Sequence, residues 1–220
     1  MSRVRLLWLV ALCLVVSGCG LPGDGHPRAV ESTDVPYNLL DEAAPQDATP
    51  GDPAAPRGVP VVFWLRSDDR LVPAAAQASC ASGAEDVVDV LLRTLAGSPS
   101  DEERTSGLAS ALPSTASLRL LRIEGDVAQV ELGAVDLVDA ERLPLAVGQL
   151  ALSVTSAPGV RGVEVVVAGR AVQLPLPGGA LADRPVTADD YASLLPERLL
   201  ASSGGAPTVG SDIGCPAPPA

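Results

Sequence analysis

SGAEDVVDVLLRTLAGSPSDEERTSGLASALP, residues 82–113, carries the clearest folding instructions in the chain. Ser82 and Glu85 have the spacing at which each side chain satisfies a backbone N–H orphaned by the first helical turn, so a helix is expected to begin there. Val87, Val88, Leu91, Leu92 and Leu95 then line one side of that helix, while Asp86, Asp89, Arg93 and Thr94 fall mostly elsewhere. Such a stripe requires a layer to pack on. Gly97 can take the left-handed conformation that ends a helix, and Pro99 forbids its resumption. Ser100 and Glu103 repeat the capping spacing, which predicts a short second helix leading through Leu108 and Leu112 to the break at Pro113.

Strand pairs flank this stretch. VPVVFWLR (59–66) is β-branched and aromatic, turns at Ser67-Asp68-Asp69 and resumes at Arg70-Leu71-Val72-Pro73, a hairpin with Trp64 in the core. On the other side SLRLLRIE (117–124), Gly125-Asp126 and VAQVEL (127–132) make a second hairpin. Ala128, Val130 and Leu132 alternate with Gln129 and Glu131, so one face is buried and one wet. Leu118 and Leu120 are out of phase with Leu121 and Ile123, which requires a bulge or a strand covered on both sides. Residues 143–156 read as the second substantial helix, striped by Ala146, Val147, Leu150, Ala151 and Val154 and ended by Pro158-Gly159. VRGVEVVV (160–167), Ala168-Gly169-Arg170 and residues 171–174 make a third hairpin. Thr187 and Asp190 set another capping spacing, for a short helix that packs down Tyr191, Leu194 and Leu195. Beyond Leu200 the Gly-, Ser- and Pro-rich sequence predicts disorder apart from Cys215.

The order strand pair, helix, strand pair, helix, strand pair resembles the GerMN (sporulation and spore germination) domain, in the form found in actinobacterial lipoproteins. The resemblance rests on VVFWLRSDDRLVP, LLRTLAGSPSDEERTSGLASALP, VAQVELG and QLALSVTSAPGVRGVEVVVAGRAV, and covers about residues 59–174. The chain departs from the family's pattern at Gly97-Ser98-Pro99, where glycine usually stands directly before proline. The resemblance implies an α+β fold with helices packed on an antiparallel sheet. It also implies protein–protein contact, because the domain is similar to the ring-building modules of secretion and sporulation assemblies. It brings no catalytic residues.

The N-terminus indicates a compartment. Arg3 and Arg5 precede an apolar run from Leu6 to Val16, and Val16-Ser17-Gly18-Cys19 forms a lipoprotein cleavage box. The run is too short to span a bilayer, so the expectation is a signal peptide (1–18) and a lipidated Cys19, at the extracytoplasmic face of the cell membrane. Each buried acyl methylene contributes about 0.8 kcal/mol, enough in a diacylglyceryl group for a stable anchor. Removal of Arg3 and Arg5 would take the formal charge from −12 to −14. An acidic chain disfavours nucleic acid and repels anionic headgroups, so the membrane partner is reached through the lipid. Residues 19–58 read as the lipidated cysteine and a flexible linker, 59–175 as the GerMN-like domain, 176–200 as an extension with a short helix and 201–220 as a flexible tail. The linker would reach roughly 35 Å as a coil and on the order of 100 Å in polyproline geometry.

Cys13 leaves with the signal and Cys19 would be lipidated, which leaves Cys80 and Cys215. Outside the cytoplasm the two can form a structural disulfide, and a metal or redox role lacks a nearby histidine or CxxC spacing. The single histidine, His26, lies in the linker, where a mobile backbone cannot hold reactive geometry. Hydrolysis would then fall to Asp68, Asp69, Asp101, Glu102 and Glu103, each of which has a turn or helix-start explanation. No catalytic, metal or cofactor site is assigned. The expected function is a non-catalytic interaction or assembly module that contacts envelope or membrane proteins, or a homo-oligomer. The alternative is a small-ligand or glycan binder, for which Phe63, Trp64 and Tyr191 are the aromatics on hand. The small cluster at 35–40 can dock on the domain or a partner, or is simply apolar linker.

Overall fold

A computed structural model of the chain describes residues 56–133, 140–201 and 207–216. Cys19, His26, the N-terminal apolar run and the 35–40 cluster lie outside the described residues, and the readings attached to them remain expectations.

The first apolar run forms β1 (Val61–Leu65), antiparallel to β2 (Leu71–Ala75) with Phe63 opposite Pro73. All five residues of β1 are buried, as a strand covered on both faces requires. The helix α1 (Ala84–Ala96) buries Val87, Val88, Leu91, Leu92 and Leu95, the predicted stripe. Both of its ends depart from the expected capping. Gly83 is the N-cap residue and no side chain caps it, because Ser82 is held one position early in a turn by its N–H bond to the Ser79 carbonyl. Gly97 stays right-handed, its N–H capping the Arg93 and Thr94 carbonyls, and the left-handed residue is Ser98 at φ 67°. The Pro99 ring disfavours a right-handed helical residue before it, so the reversal falls on Ser98. The helix α2 (Asp101–Thr105) has the complete reciprocal cap between Ser100 and Glu103. Beyond it the chain runs extended, and Ala109 exchanges two 2.8 Å backbone hydrogen bonds with Leu65.

β3 (Ser117–Glu124) and β4 (Val127–Gly133) form the second hairpin, with a bulge at Leu121 that restores Leu118, Leu120 and Ile123 to one half-buried face. α3 (Leu143–Val154) leads to β5 (Gly162–Val167), which lies parallel to β4 with Val130 opposite Val165. The sheet is therefore mixed rather than antiparallel throughout. The long connection through α3 carries the chain back to the end from which β4 started, which a tight turn cannot do. The predicted third hairpin is reduced to β6 (Arg170–Ala171), and the chain then leaves for β7 (Leu174–Pro175), which pairs with β8 (Leu181–Ala182). β9 (Val186–Thr187) pairs with the beginning of β5, on the edge whose end β6 occupies. The segment Ala188–Leu194 has the predicted Thr187–Asp190 cap but winds as a 3₁₀ helix.

The flexible-tail reading of 201–220 is corrected over 207–216. β10 (Leu200–Ala201) pairs with β11 (Thr208–Val209), and Ile213 and Gly214 bridge to Arg57. Glycine and proline in this stretch mark turns between contacts.

The protein is α+β, and α3 is its centre. Eight of its residues, from Ala146 to Val154, are buried, including Gly148, Gln149 and Ser153. It packs against β1, against the sheet and against the 3₁₀ helix. Gly148 is where the last contact closes: a Cβ there would stand 2.7 Å from Leu194 Cδ1 and 3.0 Å from Tyr191 Cδ1.

Candidate functional site

Cys80 and Cys215 are joined by a disulfide with Cα atoms 5.4 Å apart, across 135 residues of sequence. The tail reaches this bond along a built path. Arg57 pairs with Asp212 at 2.8 Å, and the Cys215 N–H donates to the Ser156 carbonyl at 2.9 Å. Gly214, at φ 84°, presses so closely on Ser156 that a Cβ would lie 2.9 Å from its Cα. The start of the domain, the end of α3 and the turn before α1 therefore meet around one covalent link.

Four of the five acidic residues considered for hydrolysis have structural roles. Asp68 accepts from Arg66 and from the Arg70 N–H in the first turn, and the Arg66 guanidinium holds its carboxyl below the usual range. Asp69 supplies the left-handed turn residue at φ 58°, and Asp101 pairs with Arg104. Glu103 accepts the Trp64 indole N–H at 2.8 Å on one oxygen and the Ser100 N–H at 2.7 Å on the other. Among the described residues no group of three or more His, Cys, Asp and Glu side chains is placed to hold a metal ion. Elsewhere, Arg184 holds the Asp190 carboxyl below its usual value, and burial raises the Tyr191 hydroxyl, which donates to the Pro175 carbonyl at 3.0 Å.

A polar stripe on α3 escaped the sequence reading. The Phe63 N–H donates to Ser153 Oγ at 2.9 Å and the Val61 N–H to Ser156 Oγ at 3.0 Å, while Gln149 Oε1 accepts from the Ala111 N–H at 2.7 Å. The two serine hydroxyls satisfy the edge of β1 that β2 leaves free, and Gln149 holds the chain beyond α2 at Ala111. The signal was present: Gln149, Ser153 and Ser156 recur at helical spacing within an otherwise apolar run. Gln149 Nε2 is buried without a hydrogen-bond partner among the described residues.

Two features face outward. The first is β3, paired with β4 on one side only among the described residues. Register places Arg119, Arg122, Gln129, Glu131 and Glu164 on the sheet face opposite the helices, tied by Arg119–Glu131 and Arg122–Glu124 ion pairs, with Leu121 39% exposed at the bulge. The second is a cavity of about 150 Å³ between α3, the helix-side face of the sheet and the chain around β7. Phe63, Trp64 and Tyr191 are buried and none of them lines it, so these aromatics offer no sugar-stacking platform. Among the described residues no helix is long and apolar enough to cross a membrane.

Comparison with known proteins follows the same lines. The family model Germane, described as sporulation and spore germination, matches residues 55–173, more than half of the 220. The tandem GerMN domains of the sporulation protein GerM from Bacillus subtilis are 18% identical, with 66% of this chain and 50% of that chain covered and a TM-score of 0.44. This chain thus spans half the length of that structure. The first GerMN domain of the same protein is 10% identical over 58% of this chain and 95% of that chain, with a TM-score of 0.45. A Clostridium perfringens protein provisionally described as a lipoprotein is 21% identical over 62% of this chain and 91% of that chain, with a TM-score of 0.41. No curated protein matches. With the family pattern extending from the first hairpin to the strand after α3, the chain belongs to the Germane (GerMN) family.

Proposed function

We propose that this chain is a lipid-anchored extracytoplasmic protein whose GerMN domain acts by non-catalytic contact with other proteins of the cell envelope. The observation that carries the reading is β3, an eight-residue strand with one edge unpaired among the described residues and a charged face beside it. An open edge offers main-chain hydrogen bonds to a partner, and side chains on alternate positions select which partner it takes. Here the bulge and the charges of Arg119, Arg122 and Glu124 oppose indiscriminate strand pairing, so the surface favours a partner of matching charge pattern. The Cys19 cleavage box supports the anchor.

The test is photo-cross-linking from position 121 of the full chain in its own cells, followed by mass spectrometry of the captured proteins and of the modified N-terminal peptide. Capture of one dominant envelope protein is expected, lost with Cys19→Ala and with the pair Arg119→Glu and Arg122→Glu. Self-links alone would identify a second copy as the partner. Capture that survives charge reversal would place the contact elsewhere, and no specific capture would remove the proposal.

A further inference from the structure

We infer that the cavity beside α3 is a binding site for the end of a hydrocarbon chain. Its floor is made by Ala146 and Leu150 of α3, Val165 of β5 and Leu174 of β7, all buried. Its rim is made in part by Val172, which is 40% exposed, and by Gln173, also exposed, so the cavity runs from the core to the surface. The space exists because small residues stand where larger ones would fill it: Ala146 on the helix and Ala116 on the loop before β3. Ligand chemistry follows from the lining. The inner, buried part offers water few polar partners, and an apolar space of about this volume holds a molecule of roughly six carbons. Gln173 at the rim is the one polar side chain among the described lining residues, and the unpartnered Gln149 amide is not among them. A ligand's polar atoms therefore stay outside while its apolar end enters. This assignment rests on the lining alone and stands apart from the envelope-contact proposal.

Two sources share that chemistry, an acyl chain on the protein's own N-terminus and a separate lipid or alkyl compound. The experiment begins with residues 19–220 carrying Cys19→Ser, which have no lipid, titrated with 1-hexanol while the methyl resonances of Leu150, Val165 and Leu174 are followed by NMR. Saturable shifts confined to these methyls are expected. 1,6-Hexanediol, of equal length but polar at both ends, should bind more weakly by about tenfold, as expected when a methylene or two are kept from burial. Ala146→Leu and, independently, Ala116→Leu should weaken hexanol to a similar degree in whichever variant keeps the native spectrum. No saturable shift up to the solubility of hexanol, equal binding of the diol, or unchanged binding in a natively folded filled variant would overturn the assignment. The membrane-purified full chain then names the source. Cross-relaxation from acyl protons to these methyls, with hexanol excluded, supports the protein's own lipid, and hexanol binding as in the unlipidated chain supports a separate molecule.

Discussion

Glu103 does two jobs with two oxygens, closing the cap of α2 and holding the indole of Trp64, which lies in the fully buried β1. Glu103→Ala would leave the Trp64 N–H unsatisfied and remove one arm of the cap, a loss of about 1–3 kcal/mol. Urea unfolding followed by fluorescence reads this directly, since Trp64 is the one tryptophan after residue 18. A midpoint shift at constant slope would report stability alone. Asp190 gives a pH prediction with a definite sign. Its ordinary value is 3.8, and hydrogen bonding to Arg184 depresses it in the folded protein, so the unfolded chain binds the proton more tightly. The stabilisation from this carboxylate is complete above 3.8 and is lost as pH falls through the lower folded value. Asp190→Asn should therefore lower stability at neutral pH and flatten the decline below about pH 4 in acid titrations followed by circular dichroism.

At the scale of elements, the free edge of β1 is closed by the Ala109 backbone at Leu65 and by the hydroxyls of Ser153 and Ser156 at Phe63 and Val61, instead of by a full strand. Ser153→Ala and Ser156→Ala each leave a buried β1 N–H without an acceptor and should destabilise by about 1–3 kcal/mol, measurable by chemical denaturation. The Ser153 carbonyl that Ser156 also donates to is main chain and survives Ser153→Ala, so the two losses should add in the double variant. This arrangement explains which elements were legible in the sequence. α1 shows a stripe because one side faces solvent, and the five residues of that stripe are its five buried ones, with Val90 left half-buried beside them. α3 is buried on nearly every side, so its periodicity marks a helix without marking its central place. Strand direction was not legible, because alternation is the same in a parallel and an antiparallel neighbour; only the position of α3 between β4 and β5 makes the parallel pair intelligible. The cavity was the least legible feature. It is a volume left by Ala116 and Ala146, far apart in sequence, and no local pattern encodes such a space.

For the whole molecule, the link between Cys80 and Cys215 closes a loop of 135 residues that contains nearly all of the described elements. By the chain-entropy account such a loop contributes up to about 5 kcal/mol, so calorimetry with and without a reductant should show a large drop in Tm on reduction. Cys215→Ser should reproduce the drop without reductant. The sequence identified these two cysteines by elimination, but it offered no sign that the tail around one of them would pair with Leu200 and Arg57, because glycine-rich stretches look alike whether or not they have partners. The position of the link also determines how the protein would respond to tension. A tug on the segment ahead of Arg57 divides between β1 and the bridged tail, and passes through Cys215 to the turn before α1. Load is then shared with a covalent bond to the turn before α1, and the first hairpin does not bear it alone.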